Sequence, residues 1–189
     1  MQDFIEKGII YNQKVDDYIE ENYFEKNPFL KIDFSNGLSY FAAPDSKNKF
    51  SISKDDFFSF FQSLKISALE LPCRLYFCKN KGFSNLKYLP WGFENNPTWL
   101  GIIPNSQLHL KLYYKGAGPV IYINLLEKSG AGRILISKDL KCNALDWEKV
   151  ELSEQLPLSA RAIQLEITLN SSDFGTITYI DDISLQIIK

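Results

Sequence analysis

"QLHLKLYYKG", residues 107 to 116, alternates between apolar and polar side chains along most of its length. Because successive side chains of a β-strand point to opposite sides of the sheet, this alternation predicts a strand with one buried and one solvated face. Strand-length runs bounded by turn residues recur along the chain. They are "SLKISALEL", "CRLYFC", "PVIYINLLE", "GRILISKD", "RAIQLEITLNSSD" and "GTITYIDDISLQI". Together these runs predict an all-β protein built as a two-sheet sandwich.

Composition and charge argue against several classes of function. The 189 residues suit one domain, and a net charge of −2 argues against nucleic-acid binding, which normally shows a basic stripe. No apolar run approaches the roughly 20 residues that a membrane-spanning helix requires. The N-terminus lacks a basic start and an apolar signal core, which predicts a cytoplasmic protein. The three cysteines lack metal-binding spacing and are expected to be reduced thiols.

The beginning of the chain differs from the rest. Up to residue 26 it contains seven acids and three lysines, a net charge of −4 (3 − 7). In "VDDYIEENYFEKN", one helical face carries Val15, Tyr18, Ile19, Asn22 and Tyr23, with the acids largely elsewhere. We therefore predict a helical leader or linker over residues 1–26 and the sandwich over residues 27–189.

Alternation in three of the runs predicts a polar outer surface. If the apolar residues of these runs face the core and the three strands share a sheet, the outer side of that sheet carries aromatic, amide and carboxylate groups. An aromatic ring covers the apolar face of a pyranose, while amides and carboxylates bond its hydroxyls. The alternative is a sheet face that is simply solvated. The candidate carbohydrate-binding residues on this surface are Tyr113, Tyr122, Asn124, Gln164 and Glu166.

A second candidate site lies in "LPWGFENNPTWLGI", residues 89 to 102. Trp91 and Trp99 lie in a segment rich in Pro, Asn and Gly, where exposed aromatic residues often bind ligands. If Trp99 begins the following strand and is buried, Trp91 alone remains available for carbohydrate binding.

Two adjacent aspartates, Asp181 and Asp182, occur in the last run although Asp is a poor strand former. Strict alternation places Asp181 on the side of the large apolar residues and Asp182 on the mostly polar side. A carboxylate on the apolar side must be hydrogen-bonded, paired or bound to a cation, because an isolated buried charge is too costly.

Catalytic patterns are sparse in the sequence. His109 is the one histidine and lies on the polar side of its strand, and no Gly-rich loop precedes a helix. Glycoside hydrolysis needs two carboxylates, and nothing in the sequence marks out a pair. We therefore expect a protein that is not an enzyme.

Several segments, taken in order, resemble the jelly-roll carbohydrate-binding modules that are often appended to glycoside-active enzymes. The opening "NPFLKIDFSNGLSYF" is similar to the family's first strand, although Phe41 stands where the family usually has Trp. The later segments are "QSLKIS", "LHLKLYYKG", Trp147 before a valine-bearing strand, "LPLSARAIQLEITL" and "YIDDISL". The match spans residues 27 to 188 and implies an antiparallel jelly-roll β-sandwich.

The resemblance also implies a function, partners and a cofactor. It implies a non-catalytic module that binds a glycan or oligosaccharide and supports a glycan-assembling or glycan-modifying enzyme, with a catalytic domain as partner. Family members often hold a structural Ca²⁺ that an Asp at the position of Asp181 helps to bind. Ser35 stands where the family frequently has an acid, and at Asp181 backbone N–H groups are the alternative to calcium. The family uses the Trp147 position for core packing.

The alternative functions are a structural or protein-interaction sandwich and a small glycan hydrolase.

Overall fold

The computed structural model describes residues 29–32, 34, 41–43, 49–59, 61–78, 84–85, 98–141, 143–170 and 177–188. The predicted leader at residues 1–26 and the candidate Trp91 lie outside these ranges. Within them the chain forms thirteen strands in two sheets. The prediction of an all-β, two-sheet antiparallel sandwich is confirmed.

Sheet A contains six strands in the order β11-β8-β13-β4-β3, with β1 also paired to β13. All its pairings are antiparallel. Its strands are β1 (Phe29–Ile32), β3 (Lys49–Ser53), β4 (Ser63–Ser67), β8 (Gln107–Gly116), β11 (Ala144–Gln155) and β13 (Ile177–Ile188).

Sheet B contains seven strands in the order β10-β9-β12-β5-β2-β6, with β7 also paired to β12. Its pairings are antiparallel except between β2 and β6. Its strands are β2 (Phe41–Ala43), β5 (Cys73–Phe77), β6 (Ser84–Asn85), β7 (Leu100–Gly101), β9 (Val120–Glu127), β10 (Gly132–Asp139) and β12 (Ala160–Leu169).

The apolar residues of the long strands form the core between the two sheets. Every residue that alternation places inward on β8, β9 and β12 is buried, which confirms that part of the prediction. Full burial of such a side chain is worth about 1.5–3 kcal/mol, so these strands contribute much of the stability. The residues are Leu108, Leu110, Leu112, Tyr114, Ile121, Ile123, Leu125, Ile163, Leu165, Ile167 and Leu169.

A β-bulge at Asp182 changes the phase of the last strand. Asp181 lies opposite Tyr113, but the next regular pair is Ser184 opposite Lys111, so β13 has one extra residue here. Asp182 is the residue with irregular backbone geometry in this bulge, because its φ of 47° is left-handed. The strict alternation predicted from sequence is therefore wrong across the bulge. Asp181 faces the outer side of sheet A with Tyr113, whereas the buried side beyond the bulge consists of Ile183, Leu185 and Ile187.

Asp181 is nevertheless fully buried, because residues 54–59 fold over the outer side of sheet A. We call this segment the strap. The backbone N–H groups of Phe58 and Ser59 donate to Oδ2 of Asp181 at 2.9 and 2.7 Å. The N–H of Asp182 donates to Oδ1 at 2.7 Å. Burial raises the pKa of the Asp181 carboxyl, and the three N–H groups offset that effect only in part.

Side chains also attach the strap to the sheet. Lys115 Nζ lies 2.8 Å from Asp56 Oδ2. The Phe58 ring stacks on the Tyr113 ring with centroids 3.6 Å apart and planes 14° apart. An ion pair and a ring stack therefore hold the strap against β8.

Replacing Asp181 by Ala should lower the free energy of unfolding by about 1–3 kcal/mol, because the strap's two N–H groups lose their acceptor. Urea denaturation of the variant and the wild type measures the difference. The matched control is Asp139→Ala, which removes an exposed carboxylate and should change stability by less than about 0.5 kcal/mol. Equal effects of the two substitutions would contradict the role assigned to Asp181.

Candidate functional site

Four of the five candidate surface residues meet on sheet B. The neighbouring strands β9 and β12 place Asn124 opposite Gln164 and Tyr122 opposite Glu166. All four alternate with buried core residues, so they project from the outer side of the sheet. The strand that carries Tyr113 belongs to sheet A, so the three strands do not share a sheet and Tyr113 lies on the opposite side of the sandwich.

A hydrogen-bond network connects the polar members of this group. Asn124 Nδ2 donates to Gln164 Oε1 at 3.1 Å and to Glu166 Oε2 at 3.2 Å. Thr168 Oγ1 donates to Glu166 Oε1 at 2.7 Å, and Gln164 Nε2 donates to Thr98 Oγ1 at 2.5 Å. These bonds hold the side chains in place before any ligand arrives, which lowers the ordering cost of binding. We call the group formed by Tyr122, Asn124, Gln164, Glu166 and Thr168 the sheet B face.

The strand β5 extends the sheet B face with two residues that sequence reasoning missed. Tyr76 lies opposite Glu166, and Arg74 lies opposite Thr168. Arg74 Nε is 3.7 Å from Glu166 Oε1, and half of the Arg74 side chain is exposed. Tyr76 is buried, and that burial, together with the charge of Glu166, raises the pKa of its hydroxyl. The alternation in "CRLYFC" places Arg74 and Tyr76 on the same side of a strand. The sequence does not show that this strand pairs with β12, and only that pairing brings the two residues to Glu166 and Thr168.

Tyr113 has a different environment from the other candidates. Its ring is stacked against Phe58, and Lys111 Nζ lies 5.1 Å from the ring centroid. The core position that the resemblance implies for Trp147 is wrong: this residue is half-buried and lies in the same outer cluster, with its ring centroid 6.1 Å from that of Phe58. Trp99 is half-buried and directly precedes β7. Tyr113 therefore cannot contribute to a ligand site on sheet B.

The sequence matches no protein-family model and no curated protein. Solved structures nevertheless share its fold. The CBM22-1 xylan-binding domain from Paenibacillus barcinonensis Xyn10C is 12% identical with a TM-score of 0.54, over 85% of this chain and 94% of that domain. A family 16 carbohydrate-binding module is 13% identical with a TM-score of 0.52, over 76% of this chain and 89% of the module.

A larger protein contains the same fold as one part. The CBM22-1-GH10 modules of the Clostridium thermocellum endo-1,4-beta-D-xylanase 10B, complexed with xylohexaose, match with a TM-score of 0.56 and 12% identity. The match covers 83% of this chain but 28% of the xylanase chain. At these identities the comparisons establish the sandwich architecture that the sequence resemblance implied. Among the residues that the structure describes, no helix is long and apolar enough to cross a membrane.

The observed partners of Asp181 are backbone N–H groups. Its carboxylate accepts two N–H hydrogen bonds at Oδ2 and one at Oδ1, which satisfy much of its need for partners without an ion. Ca²⁺ takes six to eight oxygen ligands. The described residues contain no cluster of three or more Asp, Glu, His or Cys side chains that could hold a metal ion. Ser35 lies outside those residues, so calcium binding remains a prediction of the resemblance, and hydrogen bonding accounts for the buried carboxylate.

Chelation distinguishes the two accounts of Asp181. Adding EDTA to the purified protein should leave its melting temperature unchanged, because N–H groups rather than an ion satisfy this carboxylate. Differential scanning calorimetry with and without EDTA, followed by excess CaCl₂, measures the effect. A melting temperature that falls with EDTA and recovers with Ca²⁺ would instead support a structural calcium site.

Proposed function

We propose that this protein is a non-catalytic carbohydrate-binding module whose glycan ligand lies across β9 and β12 on the sheet B face. The observation that carries the proposal is the pre-ordered network of Asn124, Gln164 and Glu166 beside the ring of Tyr122. Sugar recognition requires this combination of an aromatic surface with fixed donors and acceptors.

Each part of the sheet B face has a distinct role in the proposal. The Tyr122 ring supplies the flat contact area, and it loses little conformational entropy because it has few rotatable bonds. Asn124 and Glu166, which are half-buried, bond sugar hydroxyls and fix the orientation of the sugar ring. Gln164 is buried, and it holds the Asn124 amide in place from below. The half-exposed guanidinium of Arg74 adds donors at the β5 edge of the face.

The shared architecture guides the choice of ligand. The xylan-binding domain and the xylohexaose complex among the similar structures make an extended neutral polysaccharide of the xylan type the first ligand to test. Fold alone does not transfer a ligand, so the proposal rests on the side chains of the sheet B face.

The same network argues against the small glycan hydrolase. Glu166 is surrounded by an amide, a hydroxyl and a guanidinium, and the described residues bring no second carboxylate into this network. Hydrolysis of a glycosidic bond uses two carboxyl groups on either side of that bond. Binding without turnover is therefore the function that this surface supports best.

A catalytic partner follows from the same proposal. A module that binds glycan without cleaving it acts by holding an enzyme near its substrate, which raises the enzyme's effective concentration there. We infer that a glycan-assembling or glycan-modifying enzyme works with this module, either on a longer chain or as a separate protein. The rival function is a structural or protein-interaction sandwich that does not bind sugar.

Replacing Tyr122 by Ala should weaken xylohexaose binding by about 1–2 kcal/mol, roughly five- to thirtyfold, because the main contact area is lost. The measurement is an NMR titration of ¹⁵N-labelled protein that follows the backbone amides of residues 122–124 and 164–166. The control Tyr122→Phe retains the ring and should retain most of the affinity.

Two results would contradict this assignment. If Trp91→Ala abolishes binding while Tyr122→Ala behaves like the wild type, the ligand occupies the segment of residues 89–102 instead. If a panel of neutral oligosaccharides leaves all amides of the wild type unshifted, the protein-interaction function replaces the carbohydrate one.

A further inference from the structure

The outer side of sheet A carries a separate groove that the sheet B face does not use. This groove has a volume of about 470 Å³ and crosses β11, β8 and β13. Its lining includes His109 and Lys111 from β8, Ser153 from β11, and Gln186 and Ile188 from β13. We call it the sheet A groove.

Hydrogen-bonding side chains form a row across the sheet A groove. In the strand register, His109 lies opposite Ser153 on one side and opposite Gln186 on the other. Neighbouring strands are about 4.8 Å apart, so the three side chains span about 10 Å. Gln107 Nε2 donates to Ser153 Oγ at 2.9 Å, and Ser153 Oγ lies 3.1 Å from His109 Nδ1. Part of the row is thus ordered by bonds within the protein.

An aromatic surface continues the same face along β8. Tyr113 lies four residues after His109, or about 13 Å along the strand. The ring of Phe58 covers that of Tyr113, yet 44% of Phe58 remains exposed. Trp147 stands beside it, with ring centroids 6.1 Å apart. The two ring planes are tilted by 58°, so Phe58 and Trp147 form an angled aromatic platform, and a sugar ring can stack on the exposed Phe58 ring.

The lysines along this face are balanced by carboxylates. Lys111 Nζ lies 3.7 Å from Asp182, Lys115 pairs with Asp56 at 2.8 Å, and Lys149 pairs with Glu151. Such pairing leaves little net charge for a polyanion such as a nucleic acid, whose affinity depends on unpaired cations. The chemistry of the face favours a ligand that is neutral and rich in hydroxyl groups.

We propose that the sheet A groove and the platform of Phe58 and Trp147 form a second glycan-binding face. In this site His109, Ser153 and Gln186 bond the hydroxyls of an extended neutral oligosaccharide, and a sugar ring stacks on Phe58. The inference rests on the proposed function for the class of ligand, but it shares no residue with the sheet B face. Because the two faces lie on opposite sides of the sandwich, one protein would bind two glycan segments.

The test is an NMR titration of the full ¹⁵N-labelled chain with xylohexaose and, separately, with cellohexaose. Saturable shifts are expected for the amides of residues 109–113 and 184–186, in the wild type and in Tyr122→Ala alike. Gln186→Ala and Phe58→Ala should each weaken this set of shifts roughly five- to thirtyfold and leave the sheet B set unchanged.

Matched variants separate binding from folding. Phe58 also covers Tyr113, so Phe58→Ala is compared with Phe61→Ala, which removes an aromatic ring that is 76% exposed and not stacked on Tyr113. Gln186→Ala leaves the strap's contacts in place. Its control is Gln155→Ala, at the end of β11, where the Gln155 amide lies near Asn105 outside the groove.

Each outcome decides between the two faces. Shifts confined to the sheet B amides would overturn this inference and leave the proposed function intact. Shifts confined to the sheet A amides would support the inference and overturn the assignment of the sheet B face. If neither hexasaccharide shifts either set, both proposals are overturned.

Discussion

The outer side of sheet A depends on the hydrogen bonds that the buried carboxylate of Asp181 accepts from the strap. A carboxylate removed from water requires donors, and the chain supplies two of them by folding the strap across the sheet. This positions Phe58 on Tyr113 and brings Lys115 to Asp56. One polar group in β13 thereby determines what this part of the face presents to solvent.

The polar groups on the outer faces of the two sheets find their hydrogen-bond partners in different ways. On sheet B, side chains of adjacent strands bond one another: Asn124 and Glu166 remain partly accessible, while Gln164 is buried beneath them. On sheet A, a segment from outside the sheet covers part of the face and leaves the sheet A groove beside it. The core between the sheets consists mainly of apolar side chains, and the polar differences between the two faces lie outside it.

Features that depend on local alternation could be predicted from the sequence. Leu110, Ile123 and Leu165 are buried as expected, because burial with a period of two needs only the strand itself. The meeting of Asn124, Gln164 and Glu166 required one further assumption, that β9 and β12 pair. Alternation could not show to which sheet Tyr113 belongs, because that depends on the pairing of β8 with β13. The partner of Tyr113 in β13 is Asp181, 68 residues later in the chain (181 − 113). The left-handed residue Asp182 reverses which side of the sheet the following side chains face, and the pattern of apolar residues in the sequence does not reveal this reversal.

The strap also has a consequence for the order in which the protein folds. Its two N–H groups bond an acceptor that lies 122 and 123 positions later in the chain. Contacts of such high contact order carry a large loop-closure cost and form late. During synthesis the strap leaves the ribosome well before β13 exists, so its two N–H groups lack their acceptor until β13 inserts between β8 and β4. Completion of sheet A and assembly of the Phe58 platform are therefore coupled events.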